Sequence, residues 1–169
     1  NKNHFFNKTN YLVDISHSFI GYGRQLNDVE VVGLNIFFLN GGEIPRSSET
    51  NFNASGSMGF YNAYSMLLQG SYARKFFDDR IRIGVGFRYF REDIDNMYMQ
   101  GMALDIGCHY DLPFGIKFGA SINNIGPDVR FEGDGLQQYV DSDVSPSTTL
   151  VTSTGSFPIP RVIRLGVES

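Results

Sequence analysis

The chain is 169 residues long, carries a formal net charge of −4 and contains a single cysteine. The absence of a Lys/Arg block excludes the basic surface of a nucleic-acid-binding protein, and one cysteine excludes an internal disulfide and a multi-thiolate metal cluster. No run of about 18 apolar residues exists for a transmembrane helix, whereas nineteen glycines and 14% aromatic residues favour a β-rich chain.

Alternation of apolar and polar residues, with a period of two, predicts strands from near the N-terminus onward. The first predicted strand covers residues 11–19 and places Asp14 on its polar face. Two strands with less regular alternation follow at about 29–39 and 62–74. Because the same pattern recurs further along the chain, it reflects the architecture of the whole segment.

Residues 80–92, RIRIGVGFRYFRE, show the alternation most clearly. One face of this strand carries five apolar side chains, Ile81, Ile83, Val85, Phe87 and Tyr89. The other face carries Arg82 and Arg88, with glycines at positions 84 and 86 between them. Such a strand separates an apolar environment from a polar one, and we expect its apolar face to contact lipid.

Three further strands are predicted, at residues 102–111, 116–123 and about 159–167. Their apolar faces include Leu104, Ile106, Phe118 and Leu165. Their polar faces include Asp105, His109, Lys117, Arg164 and Glu168. Together with the earlier segments this gives about seven strands, each near the length that a tilted strand needs to cross a bilayer.

The connections between the predicted strands alternate between short and long. Short connections are predicted at 23–28, 75–80 and 111–115, and long ones at about 40–61, 91–97 and 125–158. This asymmetry is typical of outer-membrane barrels, in which periplasmic turns are short and extracellular loops are long.

The sequence therefore predicts an all-β fold, an antiparallel transmembrane β-barrel. Residues 1–169 form a single, incomplete barrel domain in this prediction, with long extracellular loops at 40–61 and 125–158. A count of seven strands is odd, and an open sheet edge is not tolerated in lipid. We therefore expect further strands to come from the rest of the protein chain or, failing that, from a partner.

We expect no catalytic residue, no metal site and no cofactor. The acidic residues of REDIDN (91–96) lack the spacing of a calcium-binding loop, and GVG (84–86) lacks the third glycine and the helix of a dinucleotide motif. The charged residues of the polar faces have two interpretations. They form either a lattice of ion pairs that maintains the shape of a lumen, or a polar pathway or cradle for a plug segment.

Several stretches occur in the order found in a known family of outer-membrane proteins. These are GGEIPRSSE (41–49), LLQGSYARKFFDDRIRIGVGFRYFRE (67–92), MALDIGCHYDLPFGIKFGASINNIGPDVRF (102–131) and FPIPRVIRLGVE (157–168). In this order the chain resembles the PorV/PorQ family, whose fold is related to that of the FadL fatty-acid transporters. The resemblance runs from the second predicted strand to the end of the sequence. It implies a monomeric barrel without catalytic residues.

The resemblance also implies a function in protein export. Members resembling PorV bind the C-terminal signal domain of exported cargo in the type IX secretion system, and members resembling PorQ are outer-membrane partners of the attachment complex. We therefore expect a non-enzymatic protein of the bacterial outer membrane that contacts lipid, other outer-membrane or secretion-machinery proteins and exported cargo domains, but not nucleic acid. Two alternatives remain: a FadL-like channel for long-chain fatty acids or other hydrophobic small molecules, and a soluble β-sandwich binding module.

Overall fold

A computed structural model describes residues 2–12, 14–46, 59–142, 145–151 and 154–168, with the side chains of 137–142 and 145–151 excepted. This part of the chain is almost entirely β-structure, with two single 3₁₀ turns at Pro113–Gly115 and Asp134–Leu136. The strands are β1 (Lys2–Asn10), β2 (Ser16–Gln25), β3 (Glu30–Pro45), β4 (Phe60–Phe76), β5 (Ile81–Ile94), β6 (Met97–Asp111), β7 (Lys117–Ile125), β8 (Phe131–Gly133), β9 (Gln137–Ser142), β10 (Ser145–Val151) and β11 (Val162–Glu168).

The strands form one large antiparallel sheet in which chain neighbours are also neighbours in space. Its order is β1-β2-β3-β4-β5-β6-β7-β11. The short β8 pairs with the first three residues of β6. Strands β9 and β10 form a separate hairpin. The sheet is not closed, because β1 and β11 each have one unpaired edge. The all-β antiparallel fold is therefore confirmed, while the sheet in this segment remains open. The described residues include no helix with the length and hydropathy needed to cross a bilayer.

The register places apolar and polar side chains on opposite faces of the sheet. Val85 pairs with Tyr72 on one side and with Ile106 on the other, and this row belongs to the apolar face, hereafter the outer face. Gly84 pairs with Ala73 and Gly107, and this row belongs to the opposite or inner face. Small residues recur on the inner face across the sheet: Gly21, Gly33, Ser71, Gly86, Gly119 and Gly166.

Very few apolar side chains are buried within this fold. Among the described residues, Met99, Ala103 and Val129 are the buried hydrophobic ones, and all three lie near the same end of the sheet. The outer face is exposed along its length, with Phe87 and Ile106 each 48% exposed. A soluble protein rarely exposes an apolar patch of this extent. The soluble β-sandwich alternative requires a second layer over such a face, and the described residues provide none.

The predicted first strand at residues 11–19 is correct for residues 16–19, which begin β2, and wrong for residues 11–15. The chain pairs β1 with β2 and reverses between them at residues 11–15, where Tyr11 N donates to Ile15 O over 2.7 Å. Asp14 lies in this turn with a φ of 56°, a left-handed conformation that Asp tolerates better than most residues. Asp14 is therefore exposed in a turn and does not belong to the polar face of a strand.

All three predicted long connections also differ from the structure. The connection at 91–97 is a tight turn at Asp95 and Asn96, because β5 continues to Ile94 and β6 begins at Met97. The connection at 125–158 contains β8 and the β9–β10 hairpin, although its residues show no clear alternation. In the connection at 40–61, residues 41–45 and 60–61 extend β3 and β4, and residues 47–58 lie outside the described part of the chain. With β1 added, the path through the sheet has eight strands, an even number, where the sequence predicted seven.

Candidate functional site

The inner face of the sheet lines a large open cavity. Its volume is about 1120 Å³, and both edge strands contribute to it, β1 through Asn3 and β11 through Arg164. The sheet is therefore curved, with its inner face concave. Apart from Asp14, the predicted polar residues all lie on this inner face: Arg82, Arg88, Asp105, His109, Lys117, Arg164 and Glu168.

Asp105 is the centre of the most buried polar cluster on the inner face. Its side chain is 10% exposed, and its Oδ2 lies 2.5 Å from Arg88 Nη2 and accepts a hydrogen bond from Gln69 Nε2 at 3.2 Å. Its Oδ1 accepts the backbone N–H of Asn124 at 2.9 Å. Arg88 Nη1 in turn donates to Asn124 Oδ1 at 2.8 Å. A carboxylate this well satisfied is a structural anchor, because a buried charge is tolerated only when it is paired and hydrogen-bonded.

Arg82 belongs to a second and more exposed cluster, nearer the β4–β5 turn. Its Nη1 lies 2.8 Å from His109 Nδ1, and its Nη2 donates to Asp111 Oδ2 at 2.8 Å. Since a guanidinium has only donors, His109 Nδ1 accepts this bond, and the proton of the neutral ring then lies on Nε2. The side chain of Arg82 is 41% exposed, so this ion pair contributes about 0 to 1 kcal/mol to stability.

The remaining charged residues of the inner face lie where β7 meets β11. Lys117 Nζ pairs with Glu168 Oε1 at 3.3 Å, and Arg164 Nη1 donates to Asn123 Oδ1 at 2.8 Å. Arg164 has no ion-pair partner among the described residues. Among all the residues that the structure describes, no three His, Cys, Asp or Glu side chains lie close enough together to hold a metal ion.

The predicted lipid-facing residues share the outer face. Ile83, Val85, Phe87, Leu104, Ile106 and Leu165 are exposed there, and Ile81, Tyr89 and Phe118 are partly exposed. Cys108 is exposed on the same face, because it lies two residues after Ile106 in the strand.

Aromatic and charged residues bound the apolar part of the outer face at both ends. On β4, Tyr64 and Tyr72 enclose Met66 and Leu68. Eight strand residues span about 27 Å, or about 20 Å across a bilayer at a tilt of about 40°. Beyond Tyr72, its hydroxyl donates to Glu30 Oε1 at 2.5 Å. The dimensions approach the apolar band of about 25 Å, edged by aromatic residues, that outer-membrane barrels present to lipid.

Sequence reasoning missed an irregularity of the chain between β7 and β8. Strand β7 ends opposite Leu104 and β8 begins opposite Met99, and residues 126–130 between them form no regular ladder with β6. A side chain at Gly126 would lie 2.3 Å from the backbone oxygen of Met102, so only glycine fits there. The GP pair at 126–127 is the signal that marks this break in the strand pattern.

No protein-family model, curated protein or solved structure matches this chain in sequence or fold comparisons. The site is therefore interpreted from its own geometry.

Proposed function

We propose that the chain forms part of the wall of an outer-membrane β-barrel and has a non-enzymatic function. The observation that carries the proposal is that one antiparallel sheet has an exposed apolar outer face and a concave inner face on which the glycines and the paired charges lie, together with apolar side chains such as Phe19 and Phe90. In outer-membrane barrels the strands alternate in this sense, with apolar residues toward lipid and polar residues toward the lumen. The inner-face charges are paired across neighbouring strands, which suits a lumen.

Within this proposal, the protein is a subunit or cargo-binding partner of a protein secretion and surface-attachment machinery of the type IX kind. The resemblance to the PorV/PorQ family supports this step. On the inner face, Arg88 and Arg82 are engaged in ion pairs with Asp105 and Asp111. Partners would then contact the rim of the barrel that carries the connections at 40–61 and 125–158.

A FadL-like channel for long-chain fatty acids or other hydrophobic molecules is the second candidate. The size of the inner cavity, about 1120 Å³, favours it, because this exceeds the volume of most small-molecule sites. The three arginines of the lining weigh against it, whereas the apolar side chains that share the inner face, such as Phe5, Phe19 and Val31, favour it.

Fractionation of cells tests the proposed location. The full-length protein is expected in the outer-membrane fraction, resistant to extraction by carbonate or urea and released by detergent. In detergent it is expected to migrate faster on SDS gels when unheated than when boiled, because an intact barrel binds less detergent than an unfolded chain. Recovery of a folded monomer from the soluble fraction without detergent would contradict the proposal.

Co-purification tests the proposed partnership. From native membranes in mild detergent, the protein is expected to migrate on native gels as part of a larger complex with other outer-membrane proteins. Val167→Ala, on the outer face at the end of β11 that lies away from the long connections, serves as a control that leaves the complex intact. A protein that always migrates alone, with uptake of fatty acids lost on its deletion, would favour the channel instead.

A further inference from the structure

The outer face of strands β1 and β2 differs in chemistry from the rest of the outer face. Residues that pair directly across an antiparallel sheet share a face, so the register assigns the outer-face positions of both strands. On β1 they are Lys2, His4, Phe6, Lys8 and Asn10. On β2 they are Ser16, Ser18, Ile20, Tyr22 and Arg24. We call these positions together the basic edge, because they include lysines, an arginine and a histidine but no acidic residue.

The basic edge shares its rows of paired residues with the apolar part of the outer face. His4 lies in one row with Leu34 and Phe87, and Lys8 lies in one row with Phe38. Leu34, Phe38 and Phe87 are all exposed apolar side chains. A lysine on the lipid face of a barrel is destabilising to an extent that grows with its depth. Lipid is therefore an unfavourable neighbour for β1, although it suits the strands that follow.

The cations of the basic edge have no anionic partner among the described residues. Lys2, Lys8 and Arg24 take part in none of the ion pairs of this part of the chain. Lys2 also lies directly opposite Arg24, and like charges at such positions repel each other. Their charge is therefore left for a neighbouring molecule to balance.

The spacing of the basic residues indicates what kind of neighbour this is. Lys2 and Lys8 lie near opposite ends of β1, about 20 Å apart along an extended strand. Anionic lipid headgroups occupy one level of a leaflet, so one layer of them cannot contact both lysines. A second copy of the chain would present either the same cations or an apolar outer face. A protein surface that carries several acidic side chains balances the whole basic edge.

We infer that the basic edge is a docking surface for an acidic, polar wall of another outer-membrane protein. The inference rests on the proposed function and identifies the side of the barrel on which such a partner binds. The outer faces of β3 to β7 and of β11 then remain in contact with lipid, because they are apolar.

Photocrosslinking compares the two parts of the outer face in the full-length protein. A p-benzoylphenylalanine replaces Phe6 in one protein and Phe87 in another, and these side chains are 67% and 48% exposed. In irradiated native membranes, position 6 is expected to give an adduct with another outer-membrane protein, whose cross-linked peptide is identified by mass spectrometry. Position 87 is expected to give lipid adducts. Lipid adducts alone at both positions, or an adduct within the chain or between two copies of it, would overturn the inference.

Charge reversal tests whether the basic residues recognise the partner. Lys8→Glu is expected to lower the yield of the position 6 adduct several-fold. The matched control is Arg80→Glu, which makes the same change of charge at an exposed position in the β4–β5 turn and is expected to leave the yield unchanged. Exchange of the acidic residue nearest the cross-linked partner peptide for lysine is expected to restore the adduct with Lys8→Glu. An undiminished yield in Lys8→Glu would overturn the inference.

The heat-dependent gel shift separates failure of this inference from failure of the proposed barrel. Lys8→Glu is expected to retain the shift, because the substituted side chain is as polar as the lysine. If it loses the shift, Lys8→Gln takes its place in the same comparison, since glutamine removes the charge without adding another. A parent protein that lacks the shift would contradict the proposed barrel itself.

Discussion

Ile106→Arg is expected to prevent most of the protein from assembling into membranes, whereas Gly107→Arg is expected to leave assembly intact. The two positions are adjacent in β6 and lie on opposite faces of the sheet. Arginine on the lipid face of a barrel costs about 2 to 4 kcal/mol at the bilayer midplane. This cost lowers the equilibrium constant for folding into the membrane by a factor of about thirty or more. The fraction of protein that shows the heat-dependent gel shift measures the effect.

The comparison is informative because both variants place the same charged side chain on the same strand. A Cβ at position 107 meets only ordinary contacts, 3.6 Å from the Ala120 oxygen and from Ser121 Cβ, and an arginine there extends into the inner cavity. Equal loss of assembly in both variants would mean that β6 tolerates no arginine on either face. A greater loss for Gly107→Arg would reverse the assignment of the faces.

Arg88→Leu is expected to destabilise the folded protein by about 3 to 5 kcal/mol, and Arg82→Leu by about 1 kcal/mol or less. The difference comes from their partners. Arg88 neutralises Asp105, whose side chain is 10% exposed, so its removal leaves a carboxylate buried without an ion-pair partner. Arg82 pairs with Asp111, which is 31% exposed and remains hydrated when the arginine is lost. Urea unfolding in detergent, followed by the gel shift, gives the two free energies of unfolding.

The double variant Arg88→Leu/Asp105→Leu separates loss of the pair from loss of side-chain volume. If an unpaired carboxylate causes the destabilisation, the double variant is expected to recover most of the stability lost in Arg88→Leu, because both charges have been removed. A double variant that is less stable than either single variant would show instead that the Asp105 bonds to Gln69 and Asn124 dominate.

The central strands could be predicted from the sequence because their alternation is strict. Residues 81–89 alternate Ile, Val, Phe and Tyr with Arg and Gly, and the predicted faces agree with the register of β5 against β4 and β6. A one-residue slip would exchange the faces entirely, so a strand with strong alternation specifies its own register. The same alternation rule predicts that Arg88 and Asp105 lie on one face, where they form an ion pair.

Strand β1 and the pairing of Val129 with Phe157 could not be predicted for a shared physical reason. In KNHFFNKTN, Phe5 and Phe6 are adjacent and the flanking residues are polar, so the strand has no apolar face to detect and is specified by its pairing with β2. The Val129–Phe157 bridge and the hydrogen bond from Asn124 to Pro160 join segments about 30 residues apart. Local periodicity carries no information about contacts of this range.

A sheet that buries so few of its apolar side chains against itself has a stability that belongs partly to its surroundings. Detergent or lipid that binds the outer face of the folded protein stabilises the folded state by mass action. A partner subunit stabilises an obligate dimer in the same way. In the proposed barrel, the unfolding free energy of a variant at Ile106 or Leu165 therefore changes with chain length and concentration of the detergent or lipid. A variant at Asp105, whose contacts lie within the chain, retains the same difference from the parent protein in every amphiphile.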